Sequence, residues 1–168
     1  GFSVEHLILT RLFRDLAVSR DGKEVAFTAH GEVFAASAKD GGVAVRISNS
    51  PAVESQVVWL PNSRSLIYVS TRDEMGNLYQ YDFATNAETR LTDSPLDDSS
   101  PVVSPDGKSV VFLRNGQGLR VMTLATKKDK LLYKGFLGRP PLARTGTVVW
   151  SPDNKWVAFT AYGTKNCR

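Results

Sequence analysis

The sequence is poor in the residues that build metal and disulfide sites. Its 168 residues include one cysteine, Cys167, and two histidines, His6 and His30. A single cysteine excludes an internal disulfide framework, and this set of side chains cannot form a zinc site. No apolar run approaches the ~18 residues that a membrane-spanning helix needs. We therefore predict no metal, no other cofactor and no membrane span.

The scarcity of histidine also argues against a catalytic triad. A Ser-His-Asp arrangement would have to recruit His6 or His30, and no serine lies in a Gly-x-Ser-x-Gly elbow. His30 precedes Gly31 in a predicted tight hairpin, and His6 lies in a predicted strand over residues 4–10. We interpret both histidines as structural or solvent-exposed. The chain is predicted not to be an enzyme itself, and no catalytic residue is assigned.

The charge of the chain gives little support to a nucleic-acid partner. The formal net charge is +4, and most lysines and arginines are scattered. The segment 1–5 lacks the charged start and apolar run of a signal peptide, and the compartment cannot be read from it. One denser basic stretch could form a patch for an acidic partner, although solvated hairpin residues are the more typical explanation: Lys127, Lys128, Lys130, Lys134, Arg139 and Arg144.

The main feature that is present is a repeat. Four segments align without gaps, over residues 19–27, 60–68, 104–112 and 151–159, and their starts lie 41, 44 and 47 residues apart. The chain between them is rich in Val, Phe, Tyr and Thr, which favours strands over helices. A strand-rich period of about 40–45 residues is typical of a four-stranded propeller blade. The fold class is therefore predicted to be all-β, built of antiparallel propeller blades.

The repeated segment opens with a tight turn, Ser-Pro-Asp-Gly in its third copy. Pro105 fixes φ, Asp106 suits the next position, and Gly107 accepts the left-handed conformation that follows. Ser63 and Asn154 replace this glycine in the second and fourth copies. Serine tolerates a positive φ less well than asparagine, so the second turn is expected to be the most strained or altered.

Residues around the turns are interpreted as packing residues. The strands on both sides, including Val102 and Val103 before the turn and residues 110–112 after it, are predicted to be well buried. Trp59 and Trp150, which correspond to Val18 and Val103, are assigned to the core between blades rather than to a ligand platform. The same role is assigned to three tyrosines: Tyr68, Tyr79 and Tyr81.

Repeated acidic residues and glycine pairs have structural interpretations as well. Asp21, Asp106 and Asp153 recur at blade spacing, so turn chemistry explains them better than one shared ion. Asp93, Asp97 and Asp98 are a better cation candidate, although an exposed connecting loop is the more typical explanation. Hairpin turns suffice for the glycines that might suggest phosphate binding: Gly41-Gly42 and Gly116-Gln117-Gly118.

The repeats resemble those of the TolB and tricorn protease families. The stretch Ala29-His30-Gly31-Glu32-Val33-Phe34, followed by residues 39–42 and then Ile47-Ser48, is similar to an early tricorn blade, with His30 where that family usually has arginine. The resemblance covers about residues 12 to 162. It implies non-catalytic propellers that act as gates or filters for peptides, with the serine nucleophile in a separate C-terminal domain. No part of that domain is recognisable here.

The repeat predicts one propeller segment over residues 1–168. Its blades span about 12–51, 52–95 and 96–141, with a partial blade over 142–168 and an extra strand over 2–11. Because ~4–8 blades normally close a ring, we expect a fragment of a longer protein, or a chain whose open edges pair with a second copy.

Three functions remain open. The first is a non-catalytic segment of a tricorn-like serine peptidase, for peptide access or domain packing; its partners would be peptides, the remaining blades and the C-terminal catalytic domain. The alternative is a TolB-like periplasmic binding or scaffold propeller that recognises a protein. A propeller of a prolyl-oligopeptidase-like enzyme has less specific support.

Overall fold

The computed structural model describes residues 13–135 and 148–161, and every helix or strand element in these ranges is a β-strand. The strands form three four-stranded sheets and one two-stranded sheet, each antiparallel and each with its strands in chain order. The all-β prediction of four-stranded antiparallel blades is confirmed.

The first sheet contains β1 (Phe13–Val18), β2 (Glu24–Ala29), β3 (Glu32–Ser37) and β4 (Val45–Arg46). The second contains β5 (Glu54–Trp59), β6 (Ser65–Asp73), β7 (Met75–Asp82) and β8 (Ala87–Arg90). The third contains β9 (Asp98–Val103), β10 (Ser109–Arg114), β11 (Gly118–Thr123) and β12 (Lys128–Tyr133), and the fourth β13 (Val148–Trp150) and β14 (Val157–Phe159).

The predicted blade limits are compatible with these sheets but stay a prediction for the whole chain. The predicted strand over 2–11 lies outside the described residues, as do His6, Cys167, Arg139 and Arg144. Within the described ranges there is no helix long and apolar enough to cross a membrane.

The repeated turns join the first two strands of each sheet in the same way. Gly22 and Gly107 have φ angles of 69° and 72°, and the replacements Ser63 and Asn154 have 53° and 61°. The N–H of Ser63 still donates to the carbonyl of Leu60 at 3.1 Å. The second turn is therefore not altered, and a serine carries the left-handed conformation there.

The turn aspartates hold the turns together. Each accepts a hydrogen bond from the preceding serine hydroxyl, at 2.7 Å for Asp21 and 2.6 Å for Asp106 and Asp153. Each also accepts one from a backbone N–H two residues on, at 3.0 to 3.2 Å. These bonds, the serine hydroxyl first, hold the pKa of the three carboxyls below the usual range.

The core lies between the sheets and is centred on their second strands. Leu66, Ile67 and Tyr68 are fully buried, and so are residues 110–112. The first strands are less buried: Val102 and Val103 are half-buried, and Val18 is 57% exposed. The expectation of burial on both sides of the turn is thus right for the second strand and wrong for the first. The reason is position, since the first strand is a terminal strand of its sheet and has a neighbouring strand on one side only.

A β-bulge interrupts the first strand of each four-stranded sheet. Asp15, Gln56 and Ser100 have φ angles of 55°, 58° and 55°, and the pairing register shifts next to them. The N–H of Gln56 donates to Asp15 Oδ2 at 2.9 Å, and that of Ser100 to Gln56 Oε1 at 2.5 Å. These hydrogen bonds therefore connect the bulge of each sheet to the bulge of the next.

Candidate functional site

A cleft of about 410 Å³ lies between the first and second sheets, on the side of the repeated turns. This volume is within the ~300–1,000 Å³ of ordinary ligand pockets. One wall carries Ala35, Val45 and Ile47 of the first sheet. The other carries Trp59, Tyr81 and Phe83, which belong to the second sheet and its edge.

Small side chains on β3 create this space. Ala26, which packs against the second sheet, pairs with Ala35, and the corresponding pairs in the next two sheets are Ile67 with Gln80 and Val111 with Val121. Ala35 thus occupies the place of a glutamine or a valine. The sequence contains this signal in the stretch Ala35-Ala36, but it becomes readable only when the strand register is known.

The aromatic wall is tied to its surroundings. The rings of Trp59 and Phe83 stack with centroids 5.5 Å apart, and Tyr81 meets Phe83 edge-on at 5.1 Å. The indole N–H of Trp59 donates to the carbonyl of Ala17 in the first sheet at 3.1 Å. Trp59 therefore packs between sheets, as the sequence predicts, and it also lines a cleft, which is not evident from the sequence.

Glu24 is the one charged residue among the described residues that line the cleft. Side chains alternate along β2, so Glu24 lies on the same face as Ala26, which packs against the second sheet. Its carboxylate has no hydrogen-bond or ion-pair partner in the described part of the chain. The outer rim is apolar, because Val43 and Val45 are 75% and 62% exposed.

At the opposite end of the second sheet, Arg72 is the centre of a polar network. Its guanidinium pairs with Glu88 at 2.5 Å and Glu54 at 3.3 Å and lies 4.3 Å above the ring of Tyr79. Tyr68 donates to Glu88, and burial followed by this bond raises the pKa of Tyr68. Because Arg72 already pairs with two carboxylates, we interpret the network as structural.

The histidine that the structure describes is not assembled into a triad. His30 is exposed at a hairpin tip with φ 51°, and it lines a pocket of about 270 Å³ with Asp15 and Ser55. No hydrogen bond joins His30 to either residue within the described ranges. Asp15 instead accepts from Gln56 N–H and, at 3.2 Å, from the hydroxyl of Thr28.

Each of the three clustered aspartates binds a different partner. Asp93 pairs with Arg90, and Asp97 accepts from the N–H of Gly76 at 2.8 Å. Asp98 is fully buried in β9 and accepts two hydrogen bonds from Arg114, at 2.7 and 2.8 Å. The exposed-loop interpretation is therefore wrong for Asp98. Among residues 13–135 and 148–161, no group of His, Cys, Asp or Glu is placed to hold a metal ion.

The other residues considered from the sequence are also at the surface or in turns. Gly41, Gly42, Gly116 and Gly118 have positive φ in hairpins and connections. The described part of the basic stretch is exposed on and around β12, at Lys127, Lys128, Lys130 and Lys134.

Comparisons with known proteins agree with the repeat. Residues 16–166 match a family model described as the TolB beta propeller domain. The chain is 28% identical over 137 residues to the uncharacterized peptidase YuxL of Bacillus subtilis, which covers 61% of the chain and 21% of YuxL. It is 36% identical over 61 residues to the uncharacterized protein Atu1656 of Agrobacterium fabrum, covering 35% and 21%. The chain thus spans about a fifth of the length of these relatives.

Solved structures share the fold at low identity. TolB from Acinetobacter baumannii matches with a TM-score of 0.71 at 21% identity, over 89% of this chain and 38% of that one. The tricorn protease matches with a TM-score of 0.56 at 16% identity, over 67% and 14%. A puromycin hydrolase mutant in complex with PGG matches with a TM-score of 0.60 at 20% identity, over 71% and 21%.

Proposed function

The chain belongs to the TolB β-propeller family, and from this premise we propose that it is a non-catalytic, peptide-binding segment of a larger tricorn-like serine peptidase. The resemblance predicted from the repeats is confirmed by the family match and by the TolB and tricorn folds. The observation that carries the proposal is the aromatic cleft between the first two sheets, which has room for a peptide side chain.

The similarity to YuxL supports a peptidase as the parent protein, because that relative is described as a peptidase. The chain covers 21% of YuxL, so further blades and the catalytic domain would come from the rest of the parent. In this arrangement the cleft holds part of a peptide while hydrolysis takes place elsewhere.

A TolB-like binding or scaffold propeller in the periplasm is the second candidate. TolB from Acinetobacter baumannii overlaps 89% of this chain, against 67% for the tricorn protease. In that case the same cleft would receive a side chain of a protein partner. Peptide hydrolysis by the full-length parent separates the candidates, because only the first predicts it.

Filling the cleft tests peptide binding. Ala35→Gln introduces, on the face that lines the cleft, the side chain that the second sheet carries at the corresponding position, so the sheet should accept it. We expect Ala35→Gln to remove crosslinks between the full chain and a photoreactive peptide library at Trp59 and Tyr81, with unchanged thermal unfolding. Ala125→Gln, in an exposed turn, is the matched control and should keep the crosslinks.

Two results would contradict the proposal. Crosslinks that survive in Ala35→Gln would show that peptides bind elsewhere. Peptide hydrolysis by the chain alone, in a preparation free of other peptidases, would show that the segment is catalytic.

A further inference from the structure

We propose that the cleft between the first and second sheets selects the guanidinium group of an arginine side chain in an extended peptide. This inference rests on the proposed peptide-binding function and names the chemistry of its ligand. It depends on two features of the cleft, a carboxylate without a partner among the described residues and a wall of aromatic rings.

The carboxylate of Glu24 is the first feature. It lines the cleft on the face of β2 that is turned to the second sheet, and it is half-buried. No described hydrogen-bond donor or cation satisfies it, and no lysine or arginine is among the described lining residues. The cleft therefore has a negative charge to offer to a ligand. A carboxylate and a guanidinium have matching planar geometry, which favours arginine over the compact ammonium of lysine.

The aromatic wall is the second feature. Trp59, Tyr81 and Phe83 line the same cleft as the carboxylate. A guanidinium that lies over such a ring is attracted by the negative face of its π system, and its plane stacks parallel to the ring. The methylene groups of an arginine would contact the aliphatic wall of Val45 and Ile47.

The chain already contains an internal example of this combination. Arg72 lies 4.3 Å above the Tyr79 ring while its guanidinium pairs with Glu54 and Glu88. The cleft provides an aromatic wall and a carboxylate without the arginine. The proposed ligand would supply the missing group.

The test uses acetylated, amidated five-residue peptides, Gly-Gly-Xaa-Gly-Gly, with arginine, citrulline, lysine or leucine at Xaa. Binding to the full chain is measured by calorimetry at low and moderate salt. We expect the arginine peptide to bind about tenfold more tightly than its uncharged citrulline isostere, as for a hydrogen-bonded charge pair at a partly exposed site. Its affinity should fall with salt, whereas that of the leucine peptide should not.

Variants locate the effect. Glu24→Gln should reduce the preference for arginine over citrulline to about twofold or less, and Tyr81→Leu should weaken binding of the arginine peptide by about threefold. The matched control is Glu74→Gln, at the exposed tip between β6 and β7, which should leave all affinities unchanged. The salt dependence of the unmodified chain keeps the test valid even if a variant does not fold.

The outcomes distinguish this inference from the proposed function. Equal binding of arginine and citrulline peptides, or a preference that survives in Glu24→Gln, would overturn the arginine assignment. Equal affinity for the lysine peptide would overturn it as well. If the leucine peptide binds best, peptide binding stands and the inference fails. If none of the peptides binds and the crosslinking test is also negative, both fail.

Discussion

At the scale of single residues, the repeated turn shows how one backbone demand is met by different side chains. Ser63 and Asn154 occupy the left-handed position that glycine fills in the other two copies, and each adds a bond to the neighbouring sheet. The N–H of Asp21 donates to Ser63 Oγ at 3.1 Å, and that of Asp106 to Asn154 Oδ1 at 2.9 Å. A side chain at this position can therefore offset its conformational cost with a contact between blades.

The two glycines of the turns are predicted to differ in their tolerance of a side chain. A Cβ at Gly107 would lie 3.2 Å from Pro61 Cδ, whereas nothing lies within 4 Å of one at Gly22. We expect Gly22→Ala to lower the free energy of unfolding by about 1 kcal/mol, because φ is positive there. Gly107→Ala should lower it by roughly 1 kcal/mol more, because the new Cβ crowds Pro61. Urea unfolding measures both. Equal losses would show that Pro61 moves away without cost.

The turn aspartates predict a stability loss in acid. The folded pKa of Asp106 lies below its ordinary value of 3.8, so its contribution is fully present above that pH and is lost as pH falls through the folded pKa. Asp106→Asn should reduce this loss while keeping the turn, because Asn62 already accepts the N–H groups of Arg64 and Ser65 in the second copy. Urea unfolding between pH 2 and pH 6 compares the two proteins. Parallel pH profiles would contradict the assignment.

At the scale of strands and sheets, the repeated sequence predicts the strands and turns of each sheet. It does not predict the features that depend on contacts between neighbouring sheets. The strands beside each turn follow from local chemistry, since Pro105, Asp106 and Gly107 each satisfy a backbone requirement. The bulge at Gln56 is not visible in composition, because its polar side chain is explained only by a bond to the next sheet. The cleft was missed for the same reason, since the small side chain of Ala35 matters only where it faces the aromatic residues of another blade.

The pair of Asp98 and Arg114 is predicted to be a critical link between β9 and β10. Asp98 is fully buried, and Arg114 supplies both of its close hydrogen bonds. Arg114→Met would leave an uncompensated buried carboxylate, so we expect a loss of about 3–5 kcal/mol in the free energy of unfolding. The double variant Arg114→Met with Asp98→Asn removes the charge and should recover part of it, as measured by urea unfolding. No recovery would show that packing, not charge, dominates at this site.

At the scale of the whole molecule, equivalent residues pack each sheet against the next. Ala17, Val58 and Val102 occupy corresponding positions on their first strands, and each packs against the core between its own sheet and the next. Val149 is the corresponding residue of β13 and is 59% exposed in the described structure. The repeat therefore predicts that a further sheet, or a second copy, covers Val149.

Cysteine labelling of Val149 tests whether the parent protein continues the propeller. In a Cys167→Ser background, we expect Val149→Cys to react with a maleimide many times more slowly in the full-length parent than in the chain alone, because a following sheet would bury it. Val45→Cys, on the outer strand β4 and similarly exposed, is the matched control and should react at the same rate in both. If labelling of the isolated chain is slow and becomes faster on dilution, a second copy of the chain covers Val149 instead. Equally fast labelling of Val149→Cys in parent and chain would contradict both forms of closure.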